Sequence, residues 1–134
     1  LVAADIGTGA ILWTNTDGES EVFTTPAVSA NRVVFMDGAG VVHALDRETG
    51  ERQWRFDTGA MDPVSPVIAG RRAGVVADGT LILVDLATGT ELWRFDQCDR
   101  ATSPALARGR IFIGTDDGFV AAFGTPSNTG ETTP

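Results

Sequence analysis

Few side chains in this sequence could do chemistry, and their surroundings decide what each can do. Asp116 and Asp117 in "GTDDGF" are the only adjacent carboxylates. They could begin a Ca²⁺ site, which takes about 6 to 8 oxygens. However, Asp78-Gly79 occupies the equivalent place in the preceding stretch, and Asp-Gly is a hairpin signature, so a turn explains both. His43 is the single histidine. It has no serine or cysteine spaced to complete a nucleophilic triad. Ile82 and Ala121 match it in register, which points to a partly buried packing position. Cys98, the single cysteine, can form no internal disulfide, and with one histidine it falls short of a zinc set. Asp96 and Asp99 flank it and disfavour a reactive thiolate. The loop "DTGAMDPVS" (57–65) and its match "DQCDRATS" (96–103) carry Met61, Asp62 and Arg100. Loops on a rigid scaffold are where binding residues sit, so these three are the candidate partner-facing positions. No catalytic, cofactor-binding or metal residue is assigned.

Length and composition narrow the classes. At 134 residues and 43% hydrophobic content the chain can bury a core. The net charge is −8, and all 10 basic residues are arginine, which argues against a nucleic-acid backbone as partner. No apolar run reaches the roughly 18 residues of a membrane span, so direct insertion as a helix is not expected.

The elements that must position these residues are repeats. "DIGTGAILW", "DRETGERQW" and "DLATGTELW" share Asp, two free positions, Thr-Gly, three free positions and Trp. The tryptophans, Trp13, Trp54 and Trp93, stand 41 and then 39 residues apart. Two further landmarks keep step: Pro26, Pro66 and Pro104, then Gly40, Gly79 and Gly118 before an apolar run. Between them lie runs of 5 to 7 residues, such as "RVVFMD" and "GVVHALD", with strand composition and turn residues at their ends. Four strands per period of about 40 residues is the dimension of a β-propeller blade. Asp and Thr can hydrogen-bond nearby amides and Gly accepts positive φ, so each Asp-x-x-Thr-Gly forms the turn between third and fourth strands. The Trp then stands on the outer strand, from where its ring reaches the glycine of the neighbouring turn.

This pattern resembles the tryptophan-docking motif, Ala-x-Asp-x-x-Thr-Gly-x-x-x-Trp, of the pyrroloquinoline-quinone (PQQ) type propeller repeat. Ala3, Asp5, Thr8, Gly9 and Trp13 match it, as do Ala44, Asp46, Thr49, Gly50 and Trp54. Asp85, Thr88, Gly89 and Trp93 match in the third copy, where Leu83 replaces the alanine. The resemblance implies an all-β chain, a partial propeller of about three four-stranded antiparallel blades and a fragment of a larger ring, with repeats over 1–124. Two complete blades are expected near 23–56 and 63–95, with a hairpin before them and three strands after. The last group would take its outer strand from a distant N-terminus of a longer chain, or open blade edges would pair between copies. The tail 125–134, rich in Thr, Pro and Gly, reads as a flexible linker.

The PQQ-dependent dehydrogenases that this pattern resembles carry a catalytic Asp, a Ca²⁺ site and adjacent cysteines. This chain has one cysteine, so the resemblance transfers the fold without the enzyme. It also extends to outer-membrane assembly lipoproteins, surface proteins and receptor-kinase sensor regions. The expectation is a non-enzymatic binding or scaffold domain without cofactor, exported to the periplasm or cell surface. Its partner is a protein or the remaining blades of the propeller. The alternative is the C-terminal portion of a quinoprotein dehydrogenase whose cofactor site lies in other blades.

Overall fold

The computed structural model describes residues 1–96 and 98–124, and the tail 125–134 lies outside them. Among the described residues, thirteen strands form four antiparallel sheets. The first sheet is a hairpin of β1 (Val2–Ala4) and β2 (Ile11–Thr14). The second is a blade of β3 (Ala27–Val28), β4 (Arg32–Met36), β5 (Val41–Asp46) and β6 (Arg52–Asp57). The third is a blade of β7 (Pro63–Ala69), β8 (Arg72–Ala77), β9 (Thr80–Asp85) and β10 (Glu91–Phe95). The fourth holds β11 (Ala105–Ala107), β12 (Arg110–Gly114) and β13 (Val120–Gly124). Each strand pairs with its sequence neighbour, so the sheets are meanders stacked face to face in chain order, an arc of propeller blades.

The stacking explains why β4 and β5 read as unbroken apolar runs. A strand presents alternate side chains to its two faces, and the second blade is covered on both. Val33, Phe35 and Leu45 pack toward Leu1 and Trp13 of the first sheet. Val34, Met36, Val42 and Ala44 pack with Ala73, Val75, Ala77, Ile82 and Val84 of the third. The third blade repeats the arrangement, with Val76 and Leu81 facing Ile111 and Ile113 of the fourth.

The three Asp-x-x-Thr-Gly turns are built alike. In each, the Asp carboxylate Oδ1 accepts the amides two and three residues on and the Thr hydroxyl. The Asp carbonyl accepts the Gly amide at 2.7–2.9 Å, and Gly9, Gly50 and Gly89 all have φ of 73°. These hydrogen bonds, led by the Thr amide in each turn, hold the carboxyls of Asp5, Asp46 and Asp85 below their ordinary range.

Two indoles seat as the motif requires. A methyl group on Gly50 would come within 2.6 Å of Cδ2 and Cε3 of Trp13, and one on Gly89 within 2.6 Å of the same atoms of Trp54. Each ring also donates its Nε1–H at 2.9 Å to a carbonyl in the turn it covers, Trp13 to Arg47 and Trp54 to Leu86. The structure adds a reason for the motif alanine: Ala3 and Ala44 lie directly across the ladder from Trp13 and Trp54. In all three repeats the ladder slips just before the Trp, leaving Leu12, Gln53 and Leu92 as extra residues. Such bulges re-aim the next side chain.

Candidate interaction face

Antiparallel meanders send their connections to two ends. One end carries the Asp-x-x-Thr-Gly turns. The other carries the second-to-third strand turns and the loops that pass from blade to blade, and it is here that the candidate residues lie. Three of these loops converge on an open cleft of about 370 Å³ lined by Phe23, Asp62, Pro63, Val64, Asp78, Gly79, Arg100 and Ala101. Of the positions singled out in the sequence, Asp62 and Arg100 come together in its wall, whereas Met61 lies outside the lining on the adjoining surface, 64% exposed.

Backbone geometry fixes the walls. Asp62 and Asp78 have φ of 53° and 46°, two of the three non-glycine residues in the left-handed region among the described residues. Asp tolerates that region better than most residues. Asp78 and Gly79, both at positive φ between Ala77 and Thr80, form a two-residue hairpin turn. Gly79 is needed a second time, because a side chain there would run into the Cys98 carbonyl. Gly40 has the same role in the preceding blade, beneath the carbonyl of Ala60. Gly40 and Gly79 thus each seat the loop leading to the next blade. At the inner strands the Thr25 amide donates to Ser65 Oγ at 2.8 Å, joining the second and third blades beside the cleft.

Phe23, which no sequence pattern singles out, forms the aromatic wall and is 77% exposed. The loop bearing it is held by a buried pair. His43 Nε2 lies 2.8 Å from Asp37 Oδ2, both side chains fully buried, and His43 stacks on Phe35 with centroids 4.9 Å apart. The same Asp37 oxygen accepts the Glu19 amide, and Oδ1 accepts the amides of Ala39 and Val41. Burial pushes the Asp37 carboxyl up, but the bonds from His43, Val41 and Glu19 outweigh it and hold the group low. His43 Nδ1 has no partner among the described residues. The expected partly buried packing position is therefore corrected: the ring is wholly enclosed and polar-paired. The signal was Asp37, in the turn between β4 and β5.

Cys98 donates to the Gly79 carbonyl at 3.1 Å. Its thiol is raised first by burial, then by Asp116, Asp117 and Asp99, so the turn of the fourth sheet does what the sequence had ascribed to Asp96. Asp116 and Asp117 belong to a turn: the Thr115 hydroxyl bonds Asp117, and the Gly118 amide donates to the Thr115 carbonyl at 3.1 Å. Among the described residues no three His, Cys, Asp or Glu side chains come together as a metal-ligand set.

The repeat geometry agrees with what known proteins show. A profile of PQQ-type repeats, described as outer membrane protein assembly factor BamB, matches residues 1–82. The chain belongs to this PQQ-like repeat family. Within it, BamB of Escherichia coli (strain K12) is 31% identical over 111 residues, covering 80% of this chain and 28% of that protein. A quinohemoprotein alcohol dehydrogenase of Comamonas testosteroni is 28% identical over 132 residues, covering 84% of this chain and 19% of that protein. The crystal structure of BamB from Moraxella catarrhalis superposes with a TM-score of 0.77 at 24% identity over 87% of this chain and 37% of that one, a likeness of fold. The chain spans less than a third of the length of these curated relatives.

Proposed function

We propose that this chain is a non-enzymatic propeller scaffold acting outside the cytoplasm, which binds a protein partner through its loop end in the assembly of outer membrane proteins. The observation that carries the reading is the cleft where three interblade loops meet, with Phe23 and Met61 left exposed on the same end. Exposed aromatic and Met side chains beside a preformed cleft are the usual anchors of protein interfaces. The BamB relatives, named for outer membrane protein assembly, support this context. Both chemistry-bearing side chains have structural work instead: His43 is enclosed with Nε2 on Asp37, and Cys98 holds its proton. β1 and β13 end their sheets among the described residues, so further blades or a second copy can pair there.

The test is site-specific photo-crosslinking in the native periplasm from Phe23 and Met61, with Arg47 at the opposite end as control. Adducts to a protein of the outer membrane assembly machinery from the first two positions only are expected; none from either overturns the reading. A second reading, a portion of a quinoprotein dehydrogenase, rests on the Comamonas testosteroni relative. Dye-linked alcohol oxidation on adding PQQ and Ca²⁺ would favour it.

A further inference from the structure

Charge is divided unevenly between the two ends of the blades. The segments 57–63, 78–79, 96, 98–104 and 115–119, which surround the cleft, carry seven carboxylates and one basic residue, Arg100. The opposite turns, 5–10, 29–32, 46–52, 69–72, 85–91 and 107–110, carry seven of the ten arginines and six carboxylates, so they nearly balance. The net charge of −8 therefore sits mostly on the loop end. Within the cleft, Asp62 and Asp78 stand in walls shared with Phe23, Pro63, Val64 and the single cation Arg100, and none of the three charged side chains makes a salt bridge among the described residues.

From this we infer that the cleft binds an extended protein segment bearing a Lys or Arg next to an apolar residue, the cation between Asp62 and Asp78 and the apolar side chain against Phe23. The inference rests on the proposed reading of the loop end as a protein-binding face and names the chemistry of the partner. Carboxylates held on a concave surface by backbone geometry concentrate field at the cleft and attract cations before contact. The apolar wall supplies what charge alone lacks: a cation's alkyl stem and its neighbour bury surface on Phe23, Pro63 and Val64. An acidic segment meets seven like charges, and a purely apolar one leaves both carboxylates desolvated and unpaired.

The experiment measures binding of a synthetic dodecapeptide alternating Arg and Leu to the purified protein by fluorescence anisotropy, with Glu-Leu and Ser-Leu peptides as comparators. Asp62→Asn and Asp78→Asn are the informative variants, because Asn keeps the left-handed backbone that Asp adopts there. The Arg-Leu peptide is expected to bind, each Asn variant to weaken it by about fivefold or more, Phe23→Ala to weaken it comparably, and Glu48→Gln at the opposite end to change nothing. Raising salt from about 20 mM to about 200 mM should weaken the wild-type protein more than the double Asn variant. Equal loss in Glu48→Gln, or equal binding of the Glu-Leu peptide, would overturn the inference. Failure of the Arg-Leu peptide while Phe23 still crosslinks a protein in the periplasm would overturn the partner chemistry alone. Absence of both would overturn the underlying reading as well.

Discussion

Trp54 and Trp93 occupy the same place in the same motif, yet they lie in different surroundings. Trp54 is 9% exposed, faces Ala44 across the ladder, covers Gly89 and donates to Leu86. Trp93 is 39% exposed, faces Leu83, and leans on Phe95 and Phe123 with centroids at 6.3 and 5.1 Å. No fourth Asp-x-x-Thr-Gly follows Phe123 in the sequence. What differs is the seat, since the motif residues themselves are shared. The stabilising unit is a pair, the indole of one blade with the turn of the next, and the small residue opposite the indole belongs to it. Where alanine is replaced, as at Leu83, the strand builds a different contact: Leu83, Phe95 and Phe123 pack together on the core between the third and fourth sheets.

Breaking the better seat should have the largest effect. Trp54→Ala removes a buried indole and its hydrogen bond and is expected to cost about 3 to 5 kcal/mol in urea unfolding, against about half that for Trp93→Ala. Equal losses would remove the distinction between the two seats. Exchanging the residues opposite the indoles sharpens it. Ala44→Leu forces extra methylenes into a fully buried position beneath Trp54 and should cost about 1 to 3 kcal/mol. Leu83→Ala, although it restores the motif, should also destabilise, by about 1 to 2 kcal/mol, because it empties the packing around Phe95 and Phe123. A stabilising Leu83→Ala would show that the motif alanine is preferred wherever it occurs.

The smallest effect is that of pH. Asp5, Asp46 and Asp85 have folded-state pKa values lowered by their turn hydrogen bonds, so their contribution is complete above the unfolded value, near 4, and is lost as pH falls through the folded values. Asp37 has the same sign. The thermal midpoint should therefore decline below about pH 4, and Asp46→Asn with Asp85→Asn should flatten that decline. An unchanged slope would separate these carboxylates from the acid sensitivity.

Much of the fold was legible because docking needs residue types at fixed separations along one chain. Asp, Thr and Gly define a turn within five positions, and the Trp follows four later. The bulge before each Trp was hidden, since Leu12, Gln53 and Leu92 share no chemistry. The candidate site was less legible. Asp62 and Arg100 could be read as loop residues, but their meeting with Phe23 and Asp78 depends on how three blades stack. His43 read as packing because its register partners are apolar. Its pairing with Asp37 rests on one turn that differs between repeats.

The central claim is that the indoles of Trp13 and Trp54 are each held by the glycine turn of the following blade, and a double-mutant cycle between Trp54→Ala and Gly89→Ala tests it most directly. The strain of alanine at positive φ cancels in the cycle, leaving the clash and contact between ring and turn. The account predicts that Gly89→Ala costs much less once Trp54 is gone, a coupling of about 2 kcal/mol. Losses that add to within about 0.5 kcal/mol would contradict it.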